Sequence, residues 1–214
     1  MAGVARHVDA GKRLASFADE VMVRCSRCES PGTVRAEWEP YRWTAAFTCR
    51  QCDLALATDA HDWVGPTLMQ GRRPCGHCGH KWLTVRREFD VSPPEMPAEW
   101  PALCPECGRE SLVHVEHVRA LIGDLAFDPH FGLPLLLELA SRHGPVWAYN
   151  ARHLGELRSY VGATLRARRG TANGSIFSRL PLWMKVAKHR EEMLKAFDRL
   201  QQLLDRTALS VIAP

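Results

Sequence analysis

Apolar and polar residues alternate in short runs over the first 120 residues and take a helical spacing only towards the end of the chain. Residues 1–23 carry Val8, Leu14, Phe17 and Val21 at loosely helical intervals, which reads as a short helix or a mobile tail. The runs Tyr41–Thr48, Leu54–Thr58, Lys81–Phe89 and Ser111–Val118 have the period of half-buried strands. Leu133–Leu139 and Val146–Tyr149 are apolar strand candidates, joined by Ser141-Arg-His-Gly-Pro145, which has hairpin chemistry. Asn150 is suited to N-cap a helix. Leu154, Leu157, Val161 and Leu165 continue that helix through Arg169, with Gly170 as its C-terminal stop. Thr171–Ser178 reads as a polar loop. Pro181 opens a last helix whose stripe is Val186, Met193, Phe197, Leu200 and Leu204.

The cysteines change this picture most. All 8 fall in Cys-x-x-Cys pairs: Cys25/Cys28, Cys49/Cys52, Cys75/Cys78 and Cys104/Cys107. Two such turns supply four thiolates, which fills the tetrahedral preference of zinc and leaves no open position for a substrate. Between Cys28 and Cys49 lie 20 residues, and between Cys78 and Cys104 lie 25, with Pro93, Pro94, Pro97 and Pro101 lengthening the second gap. This spacing favours sequential pairing, first with second and third with fourth, over an interleaved cross-brace. Two structural Zn2+ ions are therefore expected. Disulfides are disfavoured because no export segment is visible and a reducing cytoplasm is the expected setting. Gly79 and Gly108 follow the second cysteine of their pairs, where glycine closes the turn. Glu29 and Asp53 stand there in the first site, which is expected to be less regular. His77, His80, His114 and His117 read as surface or supporting residues, since four cysteines suffice.

The expected fold is α+β: two tandem β zinc ribbons (24–70 and 71–119), then a β-hairpin and two C-terminal helices (120–214). Net charge is only +4, but residues 151–214 hold 12 Lys+Arg against 5 Asp+Glu. No run nears the roughly 20 apolar residues that span a bilayer, so no membrane association is expected.

The C-terminal region resembles the bacterial proteins described as TFIIB-type zinc ribbon-containing. The resemblance rests on Phe131-Gly-Leu-Pro134, Val146-Trp-Ala-Tyr-Asn150, His153-Leu154, Tyr160-Val161, Leu165-Arg166, Leu180-Pro-Leu-Trp-Met-Lys185, Ala187-Lys188 and Arg190-Glu191. It spans roughly residues 100–205. It supports the ribbon plan and implies no particular activity. Some of those proteins carry names taken from a primosomal helicase, yet this chain has no Gly-x4-Gly-Lys-Ser/Thr.

Two partner classes remain. The basic residues Arg166, Arg168, Arg169, Arg179, Lys185 and Lys188, with Arg35, Arg42 and Trp43 on the first ribbon, are candidates for nucleic acid or a transcription or replication complex. The alternative is a protein–protein adaptor using ribbon edges and aromatic anchors. No hydrolase, nucleotide-binding or zinc-protease motif is present, so neither an enzyme nor a small-molecule substrate is expected.

Overall fold

The structure, a computed structural model, describes residues 5–93, 95–120, 126–169 and 174–212, with side chains described through Thr207. The chain forms two compact units. One joins the residues up to Asp62 with those from Asp124 onward; the other is Trp63–Gly123. The first cysteine region thus folds with the C-terminal region instead of standing apart from it, and the division falls at 62/63, not at 70/71.

In the first unit, β1 (Arg6–Asp9) precedes a 3-10 turn at Leu14–Phe17 and β2 (Glu20–Arg24). The helix or tail expected at 1–23 is therefore two short strands joined through a 3-10 turn over its described part. Its apolar residues serve a strand and a turn: Val21 and Val23 point inward on β2, and Phe17 seals the preceding turn, while Val8 is exposed. β2, β3 (Pro31–Glu39), β4 (Arg42–Thr48) and β5 (Ala55–Ala57) form one antiparallel sheet in sequence order. Its inward residues are Val21, Val23, Val34, Ala36, Ala45, Phe47 and Leu56. Gly32 is required there, because a Cβ would stand 2.7 Å from the Phe47 ring.

The free edge of β2 is covered by irregular chain. The Met22 N–H donates to the Tyr149 carbonyl (2.8 Å), and the Met22 carbonyl accepts from Leu136 N–H (2.9 Å). The Arg24 N–H donates to the Pro134 carbonyl at 2.8 Å. Asn150 caps α1 (Ala151–Gly162) through His153 N–H while its amide donates to the Phe17 and Glu20 carbonyls. One side chain thus starts the helix and ties it to the sheet.

The hairpin is β11 (Glu138–Ser141) and β12 (Gly144–Trp147). Leu133–Leu137 lies buried outside any ladder, linked by single bridges at Phe127↔Pro134 and Val23↔Leu135. α1 ends at Gly162, seven residues short of the expected end. Leu165–Arg168 is instead a strand, β13, paired in parallel with β1. Leu165 leaves the apolar stripe and is exposed. Ser175 caps a short helix α2 (Ile176–Arg179) inside the region expected to be loop; residues 171–173 lie outside the described chain, as does Gly170. Pro181 precedes a separate four-residue helix, α3 (Leu182–Lys185), and the last helix, α4 (Arg190–Ile212), starts later. α4 buries Met193, Phe197, Leu200 and Leu204 against Leu154, Leu157 and Val161 of α1.

The second unit holds β6 (Thr67–Arg73), β7 (Leu83–Phe89), β8 (Glu99–Leu103), β9 (Glu110–His114) and β10 (Glu116–Arg119). Its sheets are β10-β6-β7 and β8-β9. Ser111–Val118, expected as one strand, breaks at Val115 and feeds both. Gly71 permits this, because a Cβ there would overlap the His114 carbonyl oxygen. The core is small: Met69, Leu83, Val85, Val113 and Val115 with Cys75 and Cys104. A core of that size leaves a clear role for metal in holding the unit folded. Among the described residues, no helix is long and apolar enough to cross a membrane.

Candidate metal centres

The cysteines gather as two tetrads, Cys25/Cys28/Cys49/Cys52 and Cys75/Cys78/Cys104/Cys107. Pairing is sequential, and no tetrad mixes the two regions. Sγ separations are 3.5 Å for Cys25–Cys52 and Cys28–Cys49, 3.6 Å for Cys78–Cys104 and 3.8 Å for Cys75–Cys107. Four sulfurs at about 2.3 Å from a zinc ion have tetrahedral edges of about 3.8 Å, which the tetrads match. A disulfide needs about 2.05 Å, so these are thiols. The donor set and spacing fit two structural zinc ions held by the eight cysteines.

The four turns share one construction. Cys25, Cys49, Cys75 and Cys104 each donate N–H to the carbonyl five residues on, at 2.8–2.9 Å. Each accepts at its own carbonyl from the residue after the second cysteine: Glu29, Asp53, Gly79 and Gly108, at 2.9–3.3 Å. That residue must be left-handed. Gly79 and Gly108 have φ of 73° and 68°; Glu29 and Asp53 adopt 58° and 54°. The first site is therefore as regular as the second, contrary to expectation. The ligand geometry imposes the conformation, and the non-glycine residues carry strain of about 1–2 kcal/mol each.

Electrostatics show why a cation belongs there. The Ser30 hydroxyl and N–H bring Cys28 down to about 6, while Cys78 and His77 N–H groups bring Cys75 down to about 6. Cys52 and Cys78 rise to about 12. The Leu54 and His80 N–H groups oppose that rise, but burial and the adjoining cysteine sulfurs outweigh them. Four thiolates in one tetrad need a divalent ion between them.

None of the four candidate histidines enters a tetrad. His77 Nε2 bonds the Glu110 carbonyl (3.3 Å), His117 Nε2 the Pro97 carbonyl (2.9 Å), His80 lies 4.0 Å from Glu106, and His114 is exposed.

The basic candidates separate into two kinds. Arg166 is half-buried: its guanidinium donates to the Tyr160, Val161 and Lys185 carbonyls and covers the Tyr160 ring at 4.5 Å. Arg190, another member of the basic C-terminal region, does similar work at Val161 and Ala163. Together they satisfy the carbonyls at the end of α1. Lys185 donates to the Ser178 carbonyl, and burial, then the charge of Arg168, hold its pKa below the usual lysine range. Arg168, Arg169, Arg179 and Lys188 are exposed and form no ion pair among the described residues. On the first sheet, Arg35 pairs with Glu20 and Arg42 with Glu39. Trp43 sits edge-on to His130 and Trp38. These three lie on the β3–β4 hairpin of the same unit, and no ion pair or ring contact joins them to the C-terminal cations among the described residues.

Comparison with family models, with curated proteins and with solved structures gives no match to this chain, so its functional reading rests on these tetrads and the surfaces they support.

Proposed function

We propose that the protein is a non-catalytic zinc module, built as two ribbons in the manner of the TFIIB-type zinc ribbon-containing proteins it resembles, and that its partner is nucleic acid. One observation carries the reading. Arg168, Arg169, Arg179 and Lys188 are exposed and form no ion pair among the described residues, and Arg168 adds its positive charge to that of Lys185. Like charges held together without compensation are relieved by phosphate, whose binding releases counterions. Arg166 and Arg190 give this surface a rigid base. The closed thiolate tetrads support a structural role for the metal, with no position open for substrate.

The test is a mobility shift with single- and double-stranded oligonucleotides across a salt series. Binding should weaken steeply with salt, and R168E/R169E should flatten the log–log slope by about 2, one for each phosphate that is no longer neutralised. Binding that is absent at low salt, or unchanged by the reversal, refutes the reading.

A second reading, a protein adaptor, has its own observation. At the β3–β4 turn Tyr41 is 97% exposed at a left-handed φ of 73°, beside Trp38 at 60% exposure. A bulky strained residue held in solvent is a mark of contact surfaces. Salt-insensitive capture of one protein, abolished in W38A/Y41A, with no nucleic-acid shift, favours that reading.

A further inference from the structure

The two tetrads differ in how far they face solvent. In the first, Cys25 and Cys49 are buried and Cys28 and Cys52 half-buried. The Arg27 side chain crosses its outer side to reach the Cys52 carbonyl at 3.4 Å. In the second, Cys75 and Cys104 are buried but Cys78 and Cys107 are exposed. Three of the residues that rim it are glycines with open space beside them: a Cβ on Gly79 or Gly108 would meet nothing within 4 Å, and one on Gly76 only the tip of Arg73 at 3.9 Å. The glycines that make these turns easy to form also leave Cys78 and Cys107 exposed.

We propose that Cys78 and Cys107 form an oxidant-reactive modification site, at which hydrogen peroxide removes the second zinc ion while the first stays bound. This rests on the zinc assignment of the second tetrad. An exposed sulfur attacks one peroxide oxygen; the O–O bond breaks, hydroxide leaves, and a sulfenic acid forms as peroxide is reduced by two electrons. A neighbouring thiolate then attacks the sulfenyl sulfur, forming a disulfide and expelling a second hydroxide. Partners are in place: Cys104 Sγ lies 3.6 Å from Cys78, and Cys75 Sγ lies 3.8 Å from Cys107. Either disulfide takes two of four ligands from the ion, and the small core around Met69 and Val113 loses its staple.

The test uses the full chain loaded with zinc, its metal content measured first, so that failure of the zinc assignment is seen separately. Hydrogen peroxide is added with a chromogenic zinc reporter, and oxidised cysteines are mapped by alkylation and mass spectrometry. One equivalent of zinc should leave at least about tenfold faster than the other, with oxidation first at Cys78 or Cys107. Loss of both equivalents at one rate, or earlier oxidation at Cys28 or Cys52, overturns the proposal. The variant C78H/C107H keeps four ligands while replacing both exposed sulfurs. It should retain two zinc ions and lose the fast phase; a persisting fast phase overturns the proposal equally.

Discussion

Replacing Glu29 and Asp53 by glycine tests whether ligand geometry, not local preference, sets the first site. Both residues hold left-handed φ values of 58° and 54°, matching Gly79 and Gly108 in the second site. An L-residue in that region loses about 1–2 kcal/mol, which glycine recovers. Glycine gives back about 0.5–1 kcal/mol through the greater freedom of the unfolded chain. The net gain is about 0.5–1 kcal/mol at Glu29 and somewhat less at Asp53, since aspartate tolerates this region better. Removing two carboxylates beside a four-thiolate centre acts in the same direction. The double variant E29G/D53G should therefore hold the first zinc more tightly by about 1–1.5 kcal/mol, close to a tenfold change. Chelator titration of the zinc-loaded protein, with alkylation of Cys25, Cys28, Cys49 and Cys52 followed by mass spectrometry, reads the first site separately. Unchanged or weaker retention would refute the argument, as would a reciprocal G79E/G108E variant that keeps its second zinc undiminished.

Burial brings His153 down to about 4, from an unfolded value near 6.5. Its neutral Nδ1 accepts the Tyr149 N–H. Below pH 6.5 the unfolded chain takes up a proton that the folded chain refuses. Stability therefore falls as pH drops from 6.5 to about 4, by up to roughly 3 kcal/mol, and is insensitive to this group above 6.5. Urea midpoints measured down to pH 5 should fall more steeply for the wild type than for H153Q; equal slopes would contradict this. The Asp128 carboxylate accepts from His130, Phe131 and Leu133 N–H groups at 2.9, 3.0 and 2.6 Å, so D128A should cost about 3–5 kcal/mol in urea unfolding by stranding buried donors. R166A should cost about 2–3 kcal/mol and R166K should rescue little, because the fork reaches three carbonyls, whereas R169E should leave thermal stability nearly unchanged.

The metal ligands were legible because cysteine spacing is a local signal with one dominant solution. The strain at Glu29 and Asp53 was not, since it is imposed by the ligand geometry of the first tetrad and opposes residue preference. Asn150 was readable as a cap, but its two carbonyl partners at Phe17 and Glu20 lie over a hundred residues away. The same distance hid β13. Leu157, Val161 and Leu165 keep a helical interval, and only the arrival of β1 converts the last of them to strand. A parallel pairing leaves no mark in either strand's own sequence. The arginine cluster was visible as composition. Which member faces water and which holds carbonyls was decided by where α1 stops.

The pairing of β1 with β13 sets an order of assembly on the ribosome. Ala5 accepts from Thr164 across a separation of 159 residues, so the N-terminal strand must wait, unpaired, while most of the chain is synthesised. Trp63–Gly123 is continuous in sequence and can close its own contacts first. The interval leaves the backbone of Arg6–Asp9 unpaired, and its His7 and Asp9 without their buried sites, for many seconds at usual elongation rates of about 5–20 residues per second. Zinc capture by the first tetrad, complete in sequence once Cys52 has emerged, would give that waiting segment an anchor long before its final neighbour exists.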